Sequence, residues 1–229
     1  MKKAVDVVST VLMALAAAFV LWTQVESRWF KPAPPAAVRS LTNVAIDSTK
    51  IRHVKGDADL ALVEFTDYEC PFCGRHARET DPDIESKLVA SGVVRHVVFS
   101  FPLPIHRHAR KAGEAAECAA RQRHYWEMHQ RLFQHQDALD EADLLKAADD
   151  LGLDHAAFAR CLAGEAADQV TADVSEGRRL GVNSTPTFFI GKVQPDGSIQ
   201  LTTQLRGALP YQQFQNAVEA AAPRKRAQR

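Results

Sequence analysis

The feature that most restricts this chain is Cys70-Pro71-Phe72-Cys73, a pair of cysteines with two residues between them. Such a pair either closes a small disulfide or offers two thiols to a metal, and its surroundings decide which. Upstream, Leu60-Ala61-Leu62-Val63-Glu64-Phe65-Thr66 is apolar and reads as a buried strand. Downstream, Gly74-Arg75-His76-Ala77-Arg78-Glu79 reads as helix. The pair therefore falls at a strand-to-helix junction, with Cys70 at the helix N-terminus. Unpaired backbone N–H groups and the positive end of the helix dipole favour a thiolate there. In such motifs the cysteine pKa falls to roughly 3.5–7.5, from about 8.5 for a free thiol. Pro71 suits the first helical position, where its missing N–H costs nothing.

A chain of 229 residues can hold one sizeable domain and bury a core. Its 28 basic residues balance 28 acidic ones, which argues against a bulk electrostatic partner such as nucleic acid. Four cysteines are too few to build a disulfide scaffold. At the N-terminus, Lys2 and Lys3 precede an apolar run over 7–22, broken by Ser9 and Thr10. Residues 1–25 read as a single-pass membrane anchor, with a cleaved secretory signal as the alternative. Trp22 and Trp29 resemble interfacial aromatics. Arg28 and Lys31 nearly balance Lys2 and Lys3, so basic residues do not set the orientation. The cysteine chemistry favours export, with the domain periplasmic and residues 4–25 holding it to the inner membrane. Residues 26–49, with Pro32, Pro34 and Pro35, read as a stiff linker. The folded domain is expected over 50–221, its start falling between 44 and 54. Residues 222–229, with Arg224-Lys225-Arg226, read as a solvated basic tail.

Within the domain the first core strand spans about 60–67. Glu64 lies between Val63 and Phe65, so alternation puts it on the opposite face. It is either a solvent-facing acid or a buried carboxylate beneath the sulfurs that gives and takes protons. The helix after Cys73 should kink or break near Asp81 because of Pro82, and end at Gly92. A second strand, 93–101, stops at Pro102 and Pro104. From 106 to about 181 the chain is helical almost throughout, in pieces near 108–123, 125–136, 141–151, 154–163 and 166–180. Asp140 and Asp154 are candidate N-caps; Gly152 and Gly164 are candidate stops. Thr187 opens a last strand, and Pro186 before it either starts that strand or forms a cis Thr185–Pro186 bond. A cis bond would expose the Thr185 backbone beside the cysteines, able to pair with an extended substrate. Pro195-Asp196-Gly197 marks a turn, and Pro210 opens a final helix.

Cys118 and Cys161 lie in the helical block without metal-ligand spacing. They are two buried thiols or, in an exported chain, a second disulfide. His106 and His108 form an H-x-H, and His124, His129 and His135 fall on polar helix faces that are usually solvated. No carboxylate or cysteine set accompanies them, so no metal site is expected.

The strand Leu62-Val63-Glu64-Phe65 before Cys70-Pro71-Phe72-Cys73, the helical block, and Ser184-Thr185-Pro186-Thr187-Phe188 together resemble the DsbA-like thiol–disulfide oxidoreductases of the thioredoxin superfamily. The resemblance covers roughly 50–221. It implies an α/β thioredoxin fold split by an inserted helical domain at about 105–181. It implies Cys70 as exposed nucleophile, Cys73 as buried partner, Pro186 as cis-proline, Glu64 in proton transfer, and Thr185 and Phe72 against substrate. Some relatives carry a second disulfide, which supports Cys118–Cys161. No cofactor is implied. The implied partners are cysteine-containing exported proteins and a membrane redox partner, with the chain itself a monomer.

Two departures bear on direction. The best-known members have histidine where this chain has Phe72, so a milder oxidant is expected. Thr185 before the proline also occurs in the family's isomerases, although those carry an extra N-terminal dimerisation domain. Donation of the Cys70–Cys73 disulfide is the first reading; a reductase or isomerase kept reduced is the second. A membrane-tethered metallochaperone using Cys70, Cys73 and a histidine is the alternative of another class, and His76, the nearest candidate ligand, points elsewhere on its helix.

Overall fold

The computed structural model describes residues 38–222. Six strands form one sheet: β1 (Arg39–Ile46), β2 (His53–Lys55), β3 (Leu60–Thr66), β4 (Arg95–Ser100), β5 (Thr187–Val193) and β6 (Ile199–Arg206). Their order is β1-β6-β5-β3-β4-β2. Only β3 and β4 run parallel among these pairs, and the crossover between them carries the helix that follows the cysteines. Every residue of β3 is buried, Glu64 and Thr66 included, as the central strand of a sheet covered on both faces. On one face Ala61, Val63 and Phe65 join Val97, Phe99 and Phe189 in a core. On the other lie Glu64 and the helices around the cysteines.

After β3 come α1 (Pro71–Glu79) and the short α2 (Asp81–Ile84), which continues as a wider turn over Glu85–Val89. The break at Thr80 sits where Pro82 predicts it. Gly92 leaves the helix with φ 71°, which a glycine adopts without a Cβ penalty. Between β4 and β5 lies the helical insert: α3 (Ala109–Ala120), α4 (Tyr125–Gln134), α5 (Glu141–Asp150), α6 (His155–Arg160) and α7 (Ala167–Arg179). The Asp140 carboxylate accepts from Asp143 N–H at 3.0 Å, and that of Asp154 from Ala157 N–H at 2.7 Å, so both caps are made as expected. The last helix is α8 (Tyr211–Ala221).

The Cys118–Cys161 disulfide is present and joins α3 to the end of α6, closing a separation of 43 residues. Within the insert its sulfurs share a core with Met128, Leu132, Leu144, Phe158 and Leu162.

One sequence expectation is corrected here. The stretch expected to be linker to residue 49 contains β1, which pairs with β6 from Arg39 to Ile46. Its period-2 signal is blurred by an irregular register between Ser40 and Val44, where Asn43 takes φ 58°. The expected anchor and the expected tail lie outside the described residues. Among the described residues no helix is long and apolar enough to cross a membrane.

Candidate active site

Cys70 caps the N-terminus of α1 with extended φ/ψ, and Pro71 takes the first helical position. Facing it is the segment that leads into β5, where the Thr185–Pro186 peptide is cis. In its protonated form the Cys70 thiol donates to the Thr185 carbonyl at 3.5 Å. The Thr185 hydroxyl is buried and has no other protein partner, so it is free to donate to the sulfur. This cover corrects one expectation. Cys70 is 3% exposed rather than open to solvent, because the loop before β5 lies across it, while Phe72 beside it is 54% exposed.

The two sulfurs differ sharply. The Cys73 thiol hydrogen-bonds to the Cys70 sulfur; against the opposing effect of burial, this bond, the Thr185 hydroxyl and the N–H groups of Cys73 and Phe72 bring Cys70 down to about 5. Burial pushes the Cys73 thiol well up, and the neighbouring Cys70 pushes it further. One site thus holds a stable thiolate beside a thiol that keeps its proton.

The turn before Cys70 is held by residues that the sequence did not single out. One oxygen of the Asp67 carboxylate accepts from Glu69 N–H (2.8 Å) and Cys70 N–H (3.1 Å). Its other oxygen accepts from Leu103 N–H (2.7 Å) and His106 Nδ1 (2.8 Å). The Gln136 amide, just past α4, donates to the carbonyls of Tyr68 (2.9 Å) and Cys70 (3.0 Å). Gly74 makes room for it, since a Cβ there would lie 1.8 Å from the Gln136 oxygen. The motif is therefore clamped from the sheet side by Asp67 and from the insert by Gln136.

Glu64 is buried, not solvent-facing, and its partner is His96 on β4 at 3.1 Å. The other nitrogen of His96 lies 3.2 Å from Glu85. Burial alone would push Glu64 up, but the His96 hydrogen bond and the nearby imidazoles outweigh it and hold the carboxyl low. The same two carboxylates hold His96 protonated despite its burial. Glu64 is thus the counter-ion of His96, and the sulfurs are not among its hydrogen-bond partners. Asp81, Glu85 and His96 offer ligand atoms within 4.8 Å of one another, but both His96 nitrogens already face carboxylates.

His129 corrects another expectation. It is buried, with Nδ1 3.0 Å from the Tyr68 hydroxyl, and burial lowers it to about 4. His124 and His135 are solvated as expected. His76 does point away from the sulfurs, packing between Phe188 and Phe214.

The family model described as Thioredoxin matches residues 48–220. This chain belongs to the thioredoxin family. Among solved structures it resembles alpha-DsbA1 of Wolbachia pipientis, with TM-score 0.63 and 23% identity over 73% of this chain and 88% of that one. It also resembles oxidised BdbD of Bacillus subtilis, with TM-score 0.63 and 21% identity over 82% of this chain and 98% of that one. At these identities the likeness is one of fold: a DsbA-like thioredoxin fold with its helical insert. A Salinispora tropica protein named Na(+)/H(+) antiporter NhaA 3 is 42% identical over 142 residues, which make up 60% of this chain and 21% of that protein. The chain thus spans about a fifth of the length of that curated relative.

Proposed function

We propose that this protein exchanges disulfides with cysteine-containing exported proteins, donating the Cys70–Cys73 disulfide and becoming the dithiol. The observation that carries this is the split between the sulfurs: Cys70 is brought down to about 5 while Cys73 is pushed up. A substrate thiolate attacks the Cys70 sulfur, and the Cys73 sulfur leaves and takes a proton. A second substrate thiolate then attacks the substrate sulfur of the mixed disulfide and expels the Cys70 thiolate. The substrate loses two electrons and the pair gains them; a membrane redox partner would reoxidise it. A stable leaving thiolate makes the release fast and favours the reduced enzyme, which is the property of an oxidant.

A reductase or isomerase remains the second reading, favoured by Phe72, which places no cation inside the motif. Metal carriage is less well supported, because His76, the candidate third ligand, packs between Phe188 and Phe214 and away from the sulfurs. An extracytoplasmic, membrane-associated setting is supported by the Cys118–Cys161 disulfide, by the apolar N-terminal run and by the antiporter name of the relative.

The test is oxidation of a reduced two-cysteine peptide by the oxidised protein, followed by mass spectrometry. The wild type should close the peptide disulfide and neither serine variant should. Given the oxidised peptide instead, the Cys70 thiolate of Cys73→Ser should attack its disulfide and stay in a mixed disulfide, and Cys70→Ser should not. If the serine variants exchange these behaviours, the assignment of the nucleophile is wrong.

A further inference from the structure

We propose that His106 is the positioning cation of the Cys70 thiolate, held against the active-site turn by Asp67. This rests on the exchange chemistry proposed above and adds a residue outside the C-x-x-C motif that tunes it.

The geometry has two parts. First, one carboxylate joins the two residues: Asp67 takes the Cys70 N–H on one oxygen and His106 Nδ1 on the other. That hydrogen bond holds the Asp67 carboxylate beside Cys70, where its negative charge opposes a thiolate. A cation on its far oxygen offsets that charge. Second, the loop that carries His106 is fixed rather than free. Leu103 N–H is bound to the same Asp67 oxygen, and Glu69 accepts from His108 N–H (2.5 Å) and Ala109 N–H (2.9 Å). The imidazole is thus pinned from both sides while its side chain stays 16% exposed.

The groups facing His106 from the turn are Asp67, Glu69 and Cys70; in its own loop Arg107 and His108 follow it. Burial lowers the His106 pKa, but the Asp67 hydrogen bond and the charges of Asp67, Cys70 and Glu69 outweigh this and raise it. Coupling is reciprocal: if the Cys70 charge favours the imidazolium, the imidazolium favours the Cys70 thiolate by the same free energy. Arg75 lies over the Phe72 ring at 5.3 Å, and Arg78 reaches Gln136, so both guanidinium groups are engaged elsewhere on the motif. His106 therefore takes the place of the cation that Phe72 cannot supply.

The experiment is the rate of alkylation of reduced Cys70 by iodoacetamide as a function of pH, in the full chain with Cys73→Ala to leave one reactive thiol. This needs no protein substrate, so it stays readable even if peptide oxidation fails and the exchange proposal falls. The expected profile has two steps. The first rise follows ionisation of Cys70. The second comes at higher pH as His106 loses its proton and the freed thiolate becomes more nucleophilic. With a Brønsted slope of about 0.4–0.5, each unit of coupling gives a second step of about threefold. His106→Gln should remove the second step and move the first to higher pH. His106→Lys should keep the first step low and also lose the second. A His106→Gln profile that superimposes on the wild type would overturn the proposal. So would a His106→Lys variant whose first step moves up as far as that of His106→Gln, because the ring would then act by shape and not by charge.

Discussion

Glu64 on β3 and His96 on β4 form an ion pair inside the sheet, with side chains only 3% and 1% exposed. Each partner removes the desolvation that the other would suffer alone, so neither can be deleted cheaply. Glu64→Gln should cost about 3–5 kcal/mol, the usual price of breaking a buried pair from one side. The pair also sets a pH window. The folded-state pKa of Glu64 is depressed, so its contribution is complete above the ordinary carboxyl range and fades as pH falls through the lowered value. That of His96 is raised, so its contribution is complete below the ordinary imidazole range and fades as pH rises through the raised value. Urea unfolding across this range should show a wild-type maximum in mildly acidic solution. The Glu64→Gln profile should lie lower and flatter.

Replacing Cys118 and Cys161 together by alanine should cost up to about 4 kcal/mol, the chain-entropy value for a closed loop of this length. Peptide oxidation should survive, because the disulfide joins two helices of the insert and takes no part in the exchange at Cys70. Thiol counting in denaturant checks the starting point: oxidised wild type should show no free thiol, and the double variant should show none either.

Phe72→His should raise the reduction potential. It adds a partly cationic ring beside the Cys70 sulfur and stabilises the reduced state. The equilibrium with glutathione should move by some tens of millivolts, at about 30 mV for each pKa unit of added thiolate stabilisation. A fall in the Cys70 pKa with no rise in potential would mean that the oxidised form is tuned instead, and Thr185 would be the first place to look.

The parts of the site that depend on local chemistry were legible in the chain. Cys70 and Cys73 at a strand-to-helix junction, Pro186 before a strand, and the caps Asp140 and Asp154 are each recognised from a few neighbouring residues. His96, Asp67 and His106 were not, because their roles come from distant pairing. Glu64 meets His96 only through the parallel register of β3 with β4, and Asp67 meets His106 only because the loop after β4 returns to the turn before α1. Periodicity carries no information of that kind. An aspartate three residues before the first cysteine, able to cap the turn, was the one available signal. Gln136 was hidden for the same reason, its partner being backbone and not side chain. β1 was missed because its irregular register spoils the alternation that betrays a strand.

The central claim is that the two sulfurs are held in opposite protonation states, and titration of thiolate ultraviolet absorbance tests it most directly. The Cys73→Ser variant, with Cys70 alone, should ionise well below the ordinary cysteine value, because the Thr185 hydroxyl and the N–H groups of Cys73 and Phe72 still face its sulfur. The Cys70→Ser variant, with Cys73 alone, should stay protonated through neutral pH and beyond the ordinary cysteine range. Two curves that both fall near the ordinary cysteine value, or that appear in the reverse order, would contradict the account.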